Sequence, residues 1–233
     1  MAQLRIDVWS DIACPWCYVG KRHLEQALSR FPEAKSVEVV WRAFELDPSA
    51  PPQKKEPGTQ AERLAKKYGM STKEAQGRID HLVSVGKSDG LMLDFERIRP
   101  GNTFDAHRLV RYAREVGKQG AVKERFLRGY LSEGEAIGER EVVARLAVDA
   151  GLDADRVSAI LSSDEYARDV RTDEAEAQRL GIHGVPFFVV GGRYALSGAQ
   201  PAELIARALS QAWSELNAPI EYAEGAACGP EGC

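Results

Sequence analysis

Cys14-Pro15-Trp16-Cys17 carries the most specific chemistry in this chain. The pair follows an apolar, strand-like run from Leu4 to Trp9 and opens a helical run that lasts to about Phe31. At such a junction the first sulfur meets a helix N-terminus, where unpaired backbone N–H groups and the helix dipole favour a thiolate. The thiolate is the attacking species in thiol–disulfide exchange, so the placement predicts a reactive dithiol with Cys14 as nucleophile. Cys17 is close enough to close a disulfide without moving the backbone, and so to resolve a mixed disulfide. Pro15 falls in the first helical turn, where its missing N–H costs nothing. The competing expectation for Cys14 is an inert buried thiol; its helix-start position and its partner argue against that.

Other groups could take part. Cys228 and Cys233 form a C-x4-C pair in a Gly-Pro loop that can close on itself or deliver its thiols to Cys14-Cys17 as a relay; the alternative is a dangling tail whose cysteines only respond to air. Asp7 and Asp11 are candidate proton acceptors for Cys17 if buried beside it, or else surface carboxylates; strand alternation puts Asp7 on the face opposite Ile6 and Val8. Trp16, between the thiols, either forms an apolar rim for unfolded substrate or packs on neighbouring helices. Tyr18 is expected to pack. His183 reads as a loop histidine without a catalytic role, and His23, His81 and His107 lie on helical patterns without ligand spacing and are assigned none.

The elements that must position these residues change character along the chain. Leu4, Ile6 and Val8 mark a first strand. A helix follows with Leu24, Ala27, Leu28 and Phe31 at i, i+3, i+4 and i+7, and Pro32 stops it. Val37 to Trp41 is a second strand, whose parallel return through a helix should be right-handed. After a Pro- and Lys-rich loop from Pro48 to Gly58, the pattern from Thr59 to about Leu180 is mostly helical. Thr59-x-x-Glu62 and Ser71-x-x-Glu74 read as capping boxes, with Gly69 at a C-cap. Leu91 to Phe95 reads as a short extended piece, and Asn102 or Thr103 caps the next helix. Further helices cover about Val122 to Leu131, Glu139 to Ala150, Ala154 to Leu161 and Asp164 to Leu180. The pattern then returns to β: Pro186 to Val190 and Arg193 to Leu196 flank Gly191-Gly192, a two-residue hairpin signal. Pro201 starts a final amphipathic helix.

The composition is that of a soluble globular protein: 233 residues, 44% hydrophobic, 28% charged. The net charge of -4 comes from interleaved acids and bases, so no nucleic-acid or anionic-membrane footprint is expected. The start, Met1 to Asp7, lacks a basic segment followed by an apolar one, so no signal peptide is expected. No run approaches the roughly 18 apolar residues of a membrane span. A cytoplasmic monomer follows as the expectation, with a C-x-x-C that is catalytic or metal-binding rather than a structural staple.

The order β-α-β, helical insert, β-β-α is that of a thioredoxin fold with an insertion. Ser10 to Lys21, with Gly184-Val185-Pro186-Phe187-Phe188-Val189, resembles the DsbA-like thioredoxin-fold oxidoreductases, and within them the cytosolic FrnE-type branch. The resemblance spans about residues 3–215. It implies an α/β protein with residues 1–48 and 181–216 as a thioredoxin-fold domain and 49–180 as an all-helical insertion; residues 217–233 are expected to be a mobile tail outside the shared fold. It also implies a protein disulfide oxidoreductase or isomerase with Cys14 as nucleophile, Cys17 as resolving cysteine and Pro186 as a cis proline facing them. The Val185 backbone and Trp16 would then contact an extended substrate, with Gly184 permitting close approach. The dipeptide Pro-Trp lacks the His of the strongly oxidising DsbA proteins, so their redox poise does not carry over.

No cofactor and no metal is expected. The expected partners are thiol- or disulfide-containing client proteins, with glutathione or a thioredoxin-type protein as candidate reductant, and oxidative-stress repair as the role. Two other classes compete. A glutathione-dependent enzyme of the 2-hydroxychromene-2-carboxylate isomerase or kappa-transferase type shares the resemblance, but such enzymes typically carry Ser where Cys14 stands. A zinc protein could use all four cysteines, although Pro after the first Cys makes a poor zinc knuckle. A holdase chaperone working through the rim near Trp16 would survive loss of every cysteine.

Overall fold

The computed structural model describes residues 3–53 and 58–218. Four strands form one sheet: β1 (Leu4–Ser10), β2 (Val37–Ala43), β3 (Phe187–Val190) and β4 (Tyr194–Ser197), in the order β2-β1-β3-β4. β2 runs parallel to β1; β3 and β4 run antiparallel to their neighbours. The parallel pair is joined through α1 (Pro15–Ser29), and α9 (Ala202–Leu216) closes the chain after β4. Leu4, Ile6 and Val8 share a core with Val19, Leu24 and Ala27 of α1 and with Ile205 and Leu209 of α9. Alternation sends Trp9 to the opposite face, where it meets Ala177 and Ile182.

Between β2 and β3 lie α2 (Gln60–Tyr68), α3 (Thr72–Ser88), α4 (Phe104–Glu115), α5 (Gln119–Leu131), α6 (Arg140–Asp149), α7 (Ala154–Leu161) and α8 (Ala167–Arg179). Local signals set several boundaries. The Thr59–Glu62 box is complete, and Gly69 ends α2 in the left-handed region at φ +65°. At Ser71 the hydroxyl accepts the Glu74 N–H at 3.2 Å, one arm of the two expected. Thr103 is the N-cap of α4 but makes no side-chain cap bond; Asn102, one residue earlier, accepts from Phe104 N through Oδ1 at 2.8 Å. Leu91 to Phe95 joins no strand ladder; Leu91 and Leu93 are buried there instead. Gly191 and Gly192 both have positive φ, as a two-residue I′ hairpin requires.

Side chains of the helical segment close the edge of the sheet at β2. Gln119, at the start of α5, donates to Trp41 O and accepts from Trp41 N, both at 3.0 Å, as a neighbouring strand would. Asp173 of α8 accepts from Ala43 N at 3.0 Å. These bonds satisfy backbone groups that an edge strand would otherwise expose. They seat α5 and α8 on β2, and Lys123 of α5 reaches the end of β1 by donating to Ser10 O. Among the described residues no helix is long and apolar enough to cross a membrane.

Candidate functional site

Cys14 is the N-cap residue of α1, in extended conformation, and Cys17 lies in the first turn with its N–H donating to Cys14 O at 3.0 Å. Both thiols are free; Cys14 is 6% exposed and Cys17 is fully buried. The Cys14 thiol donates to Val185 O at 3.4 Å. Val185–Pro186 is a cis peptide bond, and Pro186 stands just before β3. The structure therefore brings together four of the residues singled out in the sequence, Cys14, Cys17, Val185 and Pro186. Gly20, one turn into α1, makes the approach possible: a Cβ there would lie 2.8 Å from Pro186 Cγ. Trp16 is 38% exposed and leans on His81 of α3, with ring centroids 6.3 Å apart. It is thus partly exposed and also in contact with the helical segment. His183 and Gly184 are exposed.

The electrostatics correct one expectation. The helix start predicts a stabilised Cys14 thiolate, yet in the reduced pair the Cys14 thiol is pushed well above its ordinary value. The hydrogen-bonded Cys17 thiol is the largest cause, burial follows, and the Asp11 carboxylate adds to it; the Cys17 backbone N–H pulls the other way and is outweighed. A thiol buried beside a second thiol does not ionise as a lone helix-capping cysteine would.

Three further groups lie beneath the dithiol. Asp11, almost fully buried, accepts from Leu46 N at 2.8 Å, Ala13 N at 3.4 Å and His107 Nε2 at 3.2 Å, and Thr103 also bonds to it. Burial works to raise its pKa, but the bonds and charge of His107, with Leu46 and Thr103, hold the carboxyl below its ordinary value. Thr103 and His107 are four residues apart and so present one face of α4 to Asp11. Lys123, on α5 four residues after Gln119, is fully buried and donates to Ser10 O at 3.0 Å. Burial lowers its pKa to about 8, against the charges of Cys17, Asp11 and Cys14.

Asp7 does not belong to this site. Its Oδ1 accepts from Arg5 and from Arg42, each at 2.6 Å, and Arg42 continues to Asp173 at 2.6 Å. Alternation along β1 places it on the α8 side of the sheet, away from the dithiol.

The sequence reading missed His107 and Lys123. The available signal was a polar residue inside an apolar helical stripe: His107 between Ala106 and Leu109, Lys123 between Val122 and Phe126. Cys228 and Cys233 lie outside the described residues, as do the relay and four-cysteine zinc expectations that depend on them. Among the described residues no group of three or more His, Cys, Asp or Glu could hold a metal ion.

Comparison with known proteins places the fold. The family model for a DsbA-like thioredoxin domain matches residues 5–210. A crystal structure of a probable DsbA oxidoreductase from Streptomyces coelicolor is 45% identical, with 99% of this chain and 98% of that one covered and a TM-score of 0.85. A 2-hydroxychromene-2-carboxylate isomerase is 16% identical over 91% of this chain and 97% of that one, with a TM-score of 0.65. The cytosolic disulfide reductase DsbM of Pseudomonas aeruginosa, solved with GSH, is 17% identical over 89% and 98%, with a TM-score of 0.61. At such identities the last two speak to fold alone.

Proposed function

The chain belongs to the family of DsbA-like thioredoxin domains, and from that premise we propose that it reduces or isomerises protein disulfides through Cys14 and Cys17. The observation that carries this is the free dithiol at the start of α1, with the Cys14 thiol 3.4 Å from the Val185 carbonyl. Cys14 loses its proton and attacks one sulfur of a client disulfide; the other client sulfur leaves as a thiolate and is protonated. Cys17 then loses its proton and attacks Cys14 Sγ, releasing the second client thiol and leaving a Cys14–Cys17 disulfide. Two electrons from glutathione or a thioredoxin-type protein restore the dithiol. Val185 offers backbone to an extended client, and Trp16 offers exposed apolar surface beside the sulfurs.

Repair of wrong disulfides in an oxidatively stressed cytoplasm is the role that suits this reaction. The Cys228–Cys233 pair serves as a relay in this scheme, and deletion of residues 226–233 should then slow reduction of Cys14–Cys17.

Trapping tests the proposal. Cys17→Ser should accumulate mixed disulfides with a scrambled protein substrate, and Cys14→Ser should form none. Equal labelling of the two variants would refute it. The second reading, a glutathione-dependent isomerase, is favoured by the shared fold with the 2-hydroxychromene-2-carboxylate enzyme. Tight glutathione binding with small-molecule isomerisation by Cys17→Ser, and no mixed disulfides, would select it.

A further inference from the structure

The segment that leaves β2 is pinned by two acids and one base. Glu45, two residues past the strand, has a side chain with no exposure to solvent. Its Oε2 accepts from Arg171 Nη1 of α8 at 2.6 Å, and its Oε1 accepts from Asn102 Nδ2 at 3.2 Å. The same Arg171 nitrogen donates to Glu174 Oε2, also at 2.6 Å. Two carboxyl groups held by one nitrogen are crowded together, and these two are within hydrogen-bond reach of each other. The remaining oxygen of Glu174, Oε1, is buried and has no donor among the described residues. Ionised carboxylates only accept, so a carboxyl–carboxyl bond needs a proton between them. One guanidinium neutralises one of the two acids, and a second buried anion beside it is costly.

The groups around Glu45 come from three elements. α8 brings Glu174 and the half-exposed Arg171. The head of α4 brings the neutral Asn102, and Phe104, whose ring centroid is 4.3 Å from the Arg171 guanidinium. Arg108, on the same ring, is already paired with Asp105. In the segment itself, Asp47 accepts from Ser49 Oγ at 2.8 Å, and Leu46 N donates to Asp11, which His107 holds from α4. Burial raises the Glu45 carboxyl, Arg171 opposes the rise and Glu174 adds to it, so that it reaches about 7. The rest of the segment leans on the same seam. Asn102 Nδ2 also donates to Pro48 O at 3.4 Å, and Asn102 N donates to Pro51 O at 3.0 Å. Pro52 O is seated so close to Gly101 and Gly138 that neither could carry a Cβ.

We propose that Glu45 and Glu174 share one proton and so form a pH-sensitive latch, which holds the segment from Glu45 to Pro52 against α8 and the head of α4. The latch does not depend on the function proposed above. With the proton in place, the pair carries one negative charge, Arg171 balances it, and Glu174 Oε1 has its donor. When the proton leaves for solvent, two anions face one guanidinium, and release of the segment lets the Glu45 carboxylate reach water. A free Glu45 titrates near 4.5. The latch therefore holds most tightly below that pH, loosens as pH rises toward 7, and weakens no further beyond. The released segment carries Leu46, whose N–H holds Asp11. A rise toward neutral pH thus reaches the Asp11 end of the site through the backbone, without titration of either thiol.

The test uses the full-length chain, with Glu45→Gln and, separately, Glu174→Gln. Amide hydrogen exchange of Leu46 and Asn102 is followed by NMR between pH 5 and 8, each rate being corrected for the intrinsic pH dependence of exchange. In the natural chain the protection of both amides should fall at least about tenfold from pH 5 to 7 and level off above that. The Glu45 carboxyl carbon, read by NMR in the same samples, should titrate near 7. Gln at position 45 can donate to Glu174 and accept from Arg171 at every pH. Glu45→Gln should therefore keep its pH 5 protection at pH 8, about tenfold above the natural chain there. Glu174→Gln should flatten the profile likewise. A flat profile in the natural chain, a Glu45 carboxyl that titrates near 4.5, or a slope that survives in the folded variants would each overturn the proposal. The first two readings need only the natural chain, so they decide the matter even if a variant does not fold.

Discussion

Two buried lysines, one on α1 and one on α5, are treated oppositely. Lys21 of α1 pairs with Glu124 at 2.6 Å and with Glu25, while Arg22 pairs with both acids and the Tyr18 hydroxyl donates to Glu124 at 2.7 Å. Every charge in that cluster has an opposite charge in contact. Lys123 of α5 is the sequence neighbour of Glu124, as Cys17 is of Tyr18. One residue's rotation about each helix, roughly 100°, separates a closed ionic cluster from an ammonium whose one hydrogen-bond acceptor among the described residues is a carbonyl. The cluster can only hold the helices together. The lone ammonium, held by one carbonyl, is a poorly paired buried charge.

Substitutions can break this contrast from either side. The largest expected effect is on chemistry: Cys14→Ser should lower disulfide exchange with a scrambled substrate at least a thousandfold, with the melting temperature nearly unchanged. Next comes the cluster. Glu124→Gln should destabilise the fold by about 2 kcal/mol in urea, because Lys21 and Arg22 then keep only the more exposed Glu25 between them. The equilibrium of the cysteine pair with glutathione should not move.

The pH dependence of these two sites has opposite form. The Lys21 and Arg22 bonds outweigh burial and lower the Glu124 carboxyl to about 2. Its contribution is therefore complete above the unfolded value near 4.5 and is lost as pH falls from there toward 2. Glu124→Gln should flatten that limb of the stability curve. Lys123 lies lower when folded, about 8, than when unfolded, 10.5. Between those values the unfolded chain binds more protons, so this residue's contribution rises with pH across the window. The raised Cys14 thiol adds a slope of the other sign above its ordinary value. The Lys123 slope is therefore read as the difference between the natural chain and Lys123→Met. At pH 7 that variant should be more stable than the natural chain by about 1–2 kcal/mol, since an apolar side chain replaces a poorly paired buried charge.

The smallest effect sharpens the geometry both sides share. Gly20→Ala puts a Cβ 2.8 Å from Pro186 Cγ and 3.3 Å from Phe188 Cζ. It should cost about 1 kcal/mol by overpacking and slow exchange as α1 shifts off Pro186. Differential scanning calorimetry and the glutathione exchange rate, taken together, check both halves.

What the sequence discloses and what it conceals follows the same divide. The cysteine motif, the strand before it, the Gly-Gly hairpin and the Thr59 cap are legible because their causes lie within a few residues of each other. Pro186 and Val185 were reached through the resemblance of a distant segment. Asp11 was half legible: an acid three residues before Cys14 is suspicious, but whether it is buried depends on Leu46, Thr103 and His107. Lys123 was not legible. It contacts Ser10 across 113 residues of chain, and a lysine in an apolar helical stripe usually snorkels to solvent. Only the seating of α5 on β2 through Gln119 removes that escape.

That seating bears on how the protein is made. During synthesis β1, α1 and β2 emerge first, but β1, a central strand, waits for β3, which pairs with it from Phe187 onward. The outer edge of β2 waits for Gln119 and Asp173. For most of translation the nascent sheet is two strands wide with both edges open, a state prone to pair with other chains. Helices rich in local contacts form quickly, so α5 and α8 shield one edge before the ribosome has supplied the strand that fills the other.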